Sequence, residues 1–90
     1  MLFVSLMRLR EGKMQSAMAQ RMQWEYPEGV KLVAEYWLPT NDPSVINILE
    51  VDDPGSIMLM RSAWDDTFDI KVFSAMTAEE GMDWIKKFMG

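Results

Sequence analysis

With no histidine and no cysteine among its 90 residues, this chain can do chemistry only through carboxylates, amines, hydroxyls and aromatic rings. That removes the commonest general base, the usual proximal haem ligand, thiolate nucleophiles and zinc–thiolate sites. No metal and no organic cofactor is expected. The remaining groups of interest are Glu35, Tyr36 and Trp37 in one run and Glu50 in another. On an alternating strand Glu35 and Trp37 share a face, and Glu50 falls on the alternation of Ile46 and Ile48. With those registers the two carboxylates reach a common cavity. A carboxylate among aromatic rings is pushed toward its neutral form, which suits proton transfer at neutral pH. Glu50, Glu35 and Tyr36 are therefore the candidate catalytic residues.

Ser5, Lys31, Glu35, Glu50, Asp69 and Lys71 are interleaved with apolar residues, and polar groups on a buried face need partners. Trp37, Phe3, Phe73, Ser5 and Lys31 form the candidate ligand-binding set. Surface ion pairs such as Lys31 with Glu35 or Asp69 with Lys71 are the commoner fate of such charges. The acidic doublets Asp52–Asp53 and Asp65–Asp66 read better as helix caps and solvated loops than as cation ligands, since no calcium-loop spacing follows either. Met14, Met18 and Met22 fall on or near one helical stripe and read as gap-filling core.

The elements that must position these groups follow from periodicity. Leu2 to Leu9 is apolar on both alternations, as befits a strand covered on two sides. Glu11 to Trp24 has helical spacing, and Tyr26 to Gly29 interrupts it. Val30 to Leu38 resumes a period of two, turn residues fill 39–43, and Ser44 to Val51 is a third strand. Asp52, Asp53 and Pro54 announce a second helix running to about Trp64. Thr67 to Met76 is β-like, and Thr77 with Glu80 has capping-box spacing ahead of Met82, Ile85, Phe88 and Met89. The order predicts one α+β, ferredoxin-like βαββαβ sandwich with an extra C-terminal helix, spanning residues 1–90.

A net charge of −5 is the wrong sign for gripping phosphate backbones, so nucleic acid is not an expected partner. The apolar first nine residues lack the basic start and small-residue cleavage site of a signal peptide. No run approaches the roughly 20 apolar residues needed to span a bilayer. A cytoplasmic location without membrane attachment is the resulting expectation.

The helices of this fold cover one sheet face, and the other is normally polar where water covers it. Here, depending on register, it would present Phe3, Met7, Val33, Trp37, Ile46, Ile48 and Phe73. Leaving these wet forfeits on the order of 10 kcal/mol, comparable with the whole stability of a domain. A homodimer whose two sheets meet in a barrel-like interior removes that loss.

Pro27 to Leu32, Glu50 to Pro54 and Trp64 to Val72 carry a resemblance to an uncharacterised family of dimeric α+β-barrel proteins, known only as a domain of unknown function. The resemblance covers most of the chain and implies the fold and the dimer. The family pattern often has an aromatic residue followed by histidine where this chain has Tyr36 and Trp37, which argues against histidine-dependent activity. The fold alone implies no reaction. Three functions compete: a module binding a small, partly apolar ligand between paired sheets; a cofactor-independent isomerase-like or monooxygenase-like enzyme; and a structural interaction domain.

Overall fold

Strand β1 (Leu2–Leu9) lies inside a four-stranded sheet, which accounts for its lack of a polar edge. The computed structural model describes residues 1–90. Gly12, at φ +76°, turns the chain after β1, so α1 (Met14–Gln23) begins later than the apolar spacing suggests. Gly29, at φ +84°, makes the corresponding turn into β2 (Val30–Trp37). A loop over residues 38–44 leads to β3 (Val45–Val51). The Asp53 carboxylate accepts a hydrogen bond from the Gly55 backbone N–H at 2.8 Å where α2 (Gly55–Trp64) starts. Strand β4 (Phe68–Ala75) precedes α3 (Ala78–Met89). The capping box forms: Thr77 Oγ1 accepts from the Glu80 N–H at 3.1 Å, and Glu80 Oε1 accepts from the Thr77 N–H at 3.2 Å.

The strand order is β2-β3-β1-β4, and every neighbouring pair is antiparallel. Each helical connection, α1 between β1 and β2 and α2 between β3 and β4, therefore skips one strand. This is the ferredoxin-like α+β arrangement expected from the sequence, with the additional C-terminal helix. No helix is long and apolar enough to cross a membrane.

Which residues face the helices differs from the sequence expectation. Met7 packs with Ala17 of α1, Trp64 of α2 and Phe68, while Leu49 and Val51 pack with Ile57 and Met60 of α2. Cross-strand register places Phe3 beside Leu49, Ser5 beside Asn47 and Met7 beside Val45, so Phe3, Ser5 and Met7 lie on the helix side. The open side instead carries Leu2, Val4 and Leu6, opposite Glu50, Ile48 and Ile46. β1 is apolar on both alternations, so periodicity does not choose between its faces.

On β2 the cause is a bulge. Leu32 pairs with Leu49, yet Ala34 pairs with Ile48, leaving Val33 as an extra residue. A bulge reverses the alternation beyond it. Lys31 thus shares the open side with Glu50, whereas Glu35, opposite Asn47, and Trp37, opposite Val45, turn to the helix side. Ile46, Ile48 and Phe73 do lie on the open face as expected.

The core of the single chain is small: 11 of 90 residues are buried, eight of them in the two clusters just described and the others being Ser5, Asn47 and Thr67. Ala17 is the one α1 residue among them, and Met14, Met18 and Met22 are 60%, 42% and 85% exposed. The expected methionine stripe is therefore not core. α1 meets the sheet at a small residue, and beside that contact the two surfaces part to leave a cavity.

Candidate functional site

The cavity lies between α1, the helix side of the sheet and the β2–β3 loop, and has a volume of about 270 Å³. Ser5 and Asn47, cross-strand neighbours on β1 and β3, contribute to its floor. They are 1% and 6% exposed. Neither Ser5 Oγ nor Asn47 Oδ1 has a hydrogen-bond partner, and Asn47 Nδ2 donates only to the Met7 sulfur at 3.4 Å. An unsatisfied buried polar atom costs about 1–3 kcal/mol, so two side by side beneath a cavity call for a functional explanation.

The walls are largely apolar. Met14 and Met18 of α1 line one side. Trp24 meets Tyr26 and Trp64 edge-on at centroid distances of 5.6 and 5.5 Å, and Trp64 meets Phe68 at 5.8 Å. Such edge-to-face contacts hold the rings in fixed orientation and give the wall a defined shape.

Glu35 organises the polar margin. Its Oε2 accepts from Trp37 Nε1 at 2.8 Å and from Arg21 Nε at 3.3 Å, and its Oε1 accepts from the Tyr26 hydroxyl at 3.5 Å. Its side chain is 14% exposed against 38% for Arg21. Burial raises the Tyr26 pKa, the Glu35 charge raises it further, and Arg21 opposes them in part. Tyr26 consequently remains a neutral donor at physiological pH. The Arg21–Glu35 pair balances its own charge, and Arg61 of α2 is the other charged side chain along the cavity.

The structure separates the residues singled out from the sequence. Ser5, Glu35 and Trp37 line the cavity. Phe3 is on the same sheet face but packs into the Leu49 cluster. Glu50, Lys31, Tyr36 and Phe73 are on the opposite face. Glu35 and Glu50 therefore share no cavity, and Glu50 is instead paired with the Met1 ammonium at 2.8 Å. Tyr36 stands opposite Ile46 and is 57% exposed. The two ion pairs considered for the strand ends are replaced by others: Glu35 takes Arg21, and Asp69 takes Arg8 and Arg10. Asp65 also pairs with Arg10, and Asp53 accepts from the Gly55 N–H at the entry to α2. No group of three or more acidic side chains gathers into a metal site.

Asn47, Arg21 and Tyr26 are the site residues that sequence reasoning missed. For Asn47 a signal existed, since an amide between Ile46 and Ile48 in an apolar strand must be satisfied or functional. Arg21 and Tyr26 carry no local mark, because they meet Glu35 only through the tertiary fold.

A four-stranded antiparallel sheet with two skipping helical connections, bordering a polar-floored, partly open cavity on its helix side, defines a ferredoxin-like α+β domain with a cleft between helix and sheet. The chain belongs to the family described as "Domain of unknown function (DUF3303)", which matches residues 1–89. The resemblance noted from Pro27–Leu32, Glu50–Pro54 and Trp64–Val72 thus holds at the level of an uncharacterised family. No curated protein and no solved structure matches the chain.

Proposed function

We propose that this protein is a homodimeric binding module for a small, partly apolar molecule held between α1 and the sheet. The observation that carries this reading is the unpartnered pair Ser5 Oγ and Asn47 Oδ1 at the floor of a largely apolar cavity. Both oxygens lie just beneath the cavity surface, so a ligand reaches them as the lining side chains part: Asn47 Oδ1 accepts only and takes a ligand hydroxyl or N–H, and Ser5 Oγ either donates to or accepts from the same group. The apolar body of the ligand rests against Met14, Met18 and Trp24. A volume of about 270 Å³ lies just below the range of drug-sized pockets, which points to a single substituted ring or a short-chain alcohol or amide.

Binding is favoured over turnover by the placement of the proton-transfer candidates. Glu35 alone of Glu50, Glu35 and Tyr36 lines the cavity, and its oxygens already accept from three donors. The dimer is supported by the open face, where Tyr36 and Phe73 are 57% and 52% exposed beside Ile46 and Ile48.

Ligand-observed NMR with a panel of small phenols, aromatic alcohols and amides tests the binding reading. Binding to the native chain that disappears in Asn47→Leu is the expected result. A panel with no binder, or one whose binders ignore Asn47→Leu, would overturn it.

A further inference from the structure

Helix α3 has the make-up of a docking helix and nothing of its own chain to dock on. Met82, Ile85 and Met89 recur at helical spacing with Phe88 beside them, and Glu79, Glu80, Asp83, Lys86 and Lys87 occupy the other side. Those four apolar side chains are between 54% and 88% exposed, and no residue of α3 is buried. Isolated helices of this length are marginal in water, and most helices are held by packing of their apolar face.

Two global quantities show that the missing contact is large. The Cα radius of gyration is 15.0 Å, against about 12 Å for a compact chain of this length. The accessible surface is 6742 Å², against about 5,400 Å² for a folded monomer of this mass. The surplus is about 1,300 Å² per chain, and burying it on two copies would remove about 2,600 Å², which falls in the range of obligate homodimers. A surplus of this size suits a second copy, which would bury its own equal surplus in the same contact.

The direction of α3 supports an exchanged contact. Only Met76 and Thr77 separate it from β4, an edge strand, and the reciprocal Thr77–Glu80 bonds fix that junction. Gly81 sits against the Met76 sulfur, its β-position 3.7 Å away, so the first turn is also packed on the linker. The helix therefore leaves its own sheet at the edge, and the molecule is drawn out to 52 × 29 × 16 Å. We infer that α3 is an arm that lays its Met82–Ile85–Met89 stripe on a second copy of the chain, so that two copies exchange C-terminal helices across a twofold axis. This rests on the homodimer proposed above and adds to it that each subunit is clasped by the helix of its partner.

The test uses the full chain with a photo-crosslinking residue, Ile85→p-benzoylphenylalanine, mixed as isotopically heavy and light copies. Sedimentation on the native chain is run alongside. Crosslinked peptides joining heavy to light chains, from a preparation that sediments as a dimer, are expected. Crosslinks confined to single chains, or none, in a dimeric preparation overturn the arm exchange and leave the dimer standing. A native chain that sediments as a monomer at micromolar concentration overturns both. The full-length double variant Met82→Glu, Ile85→Glu alters only exposed positions, and circular dichroism reports its folding. Its dimer dissociation constant is expected to rise at least a hundredfold, and an unchanged constant overturns the exchange.

Discussion

Ser5 and Asn47 face each other across β1 and β3, almost wholly buried, and neither Ser5 Oγ nor Asn47 Oδ1 has a hydrogen-bond partner. A ferredoxin-like domain built for stability alone would place apolar side chains there, as it does at neighbouring Leu49 and Val51. Asn47→Leu keeps a similar volume and removes the unsatisfied amide. Its chemical denaturation midpoint is expected to rise, by about 1–2 kcal/mol in unfolding free energy, while ligand binding is lost. A variant that is less stable than the native chain would show that Asn47 is satisfied in a way that serves the fold.

Tyr26 predicts a loss of stability in alkaline solution. Its folded pKa is raised above the ordinary value of 10.0, chiefly by burial. The folded state therefore holds the phenolic proton more tightly than the unfolded state. This contribution is fully present below about pH 10 and disappears as pH rises through the folded pKa. Denaturation measured from pH 8 to 11 should show a fall in stability that is reduced in Tyr26→Phe. In Glu35→Gln, tyrosinate absorbance should report a lower Tyr26 pKa that still exceeds the ordinary value, because the larger cause is burial.

The open sheet face predicts a dimer that salt does not dissociate. Each copy carries a net charge of −5, so the copies repel and must be held by apolar contact. Raising ionic strength screens that repulsion. Sedimentation equilibrium should give a dissociation constant that falls or stays level between 0.05 and roughly 1 M salt. Phe73→Asp, exposed on the edge strand β4 of that face, should raise it at least tenfold with little change in the circular dichroism spectrum.

The capping box predicts a local effect confined to α3. Thr77→Ala removes the side chain that accepts from the Glu80 N–H. Loss of such a cap costs about 1 kcal/mol, or about a fivefold change in the local opening equilibrium. Amide exchange over residues 78–82 should quicken by about that factor while the strands are unaffected. Faster exchange in β1 or β3 would show that α3 supports the sheet of its own chain.

Residues 77 to 80, the turn residues around 39–43 and the β-like runs of the four strands declare their structures locally, since caps, turns and pleats depend on near neighbours in the chain. From these the element order and the ferredoxin-like class are legible without coordinates. The side of the sheet on which each group lands is not. β1 is apolar on both alternations, and the bulge at Val33 reverses β2 after Leu32, which sends Glu35 and Trp37 to the helices and leaves Lys31 and Glu50 opposite them. A bulge depends on pairing with a strand a dozen or more residues away, so local pattern does not reveal it. The same distinction explains the methionines of α1: their spacing marks a helix, but only packing at Ala17 decides that Met14 and Met18 border a cavity instead of filling a core. Period and capping are properties of short sequence, whereas facing, burial and the meeting of Arg21, Tyr26 and Glu35 arise only when distant segments are brought together.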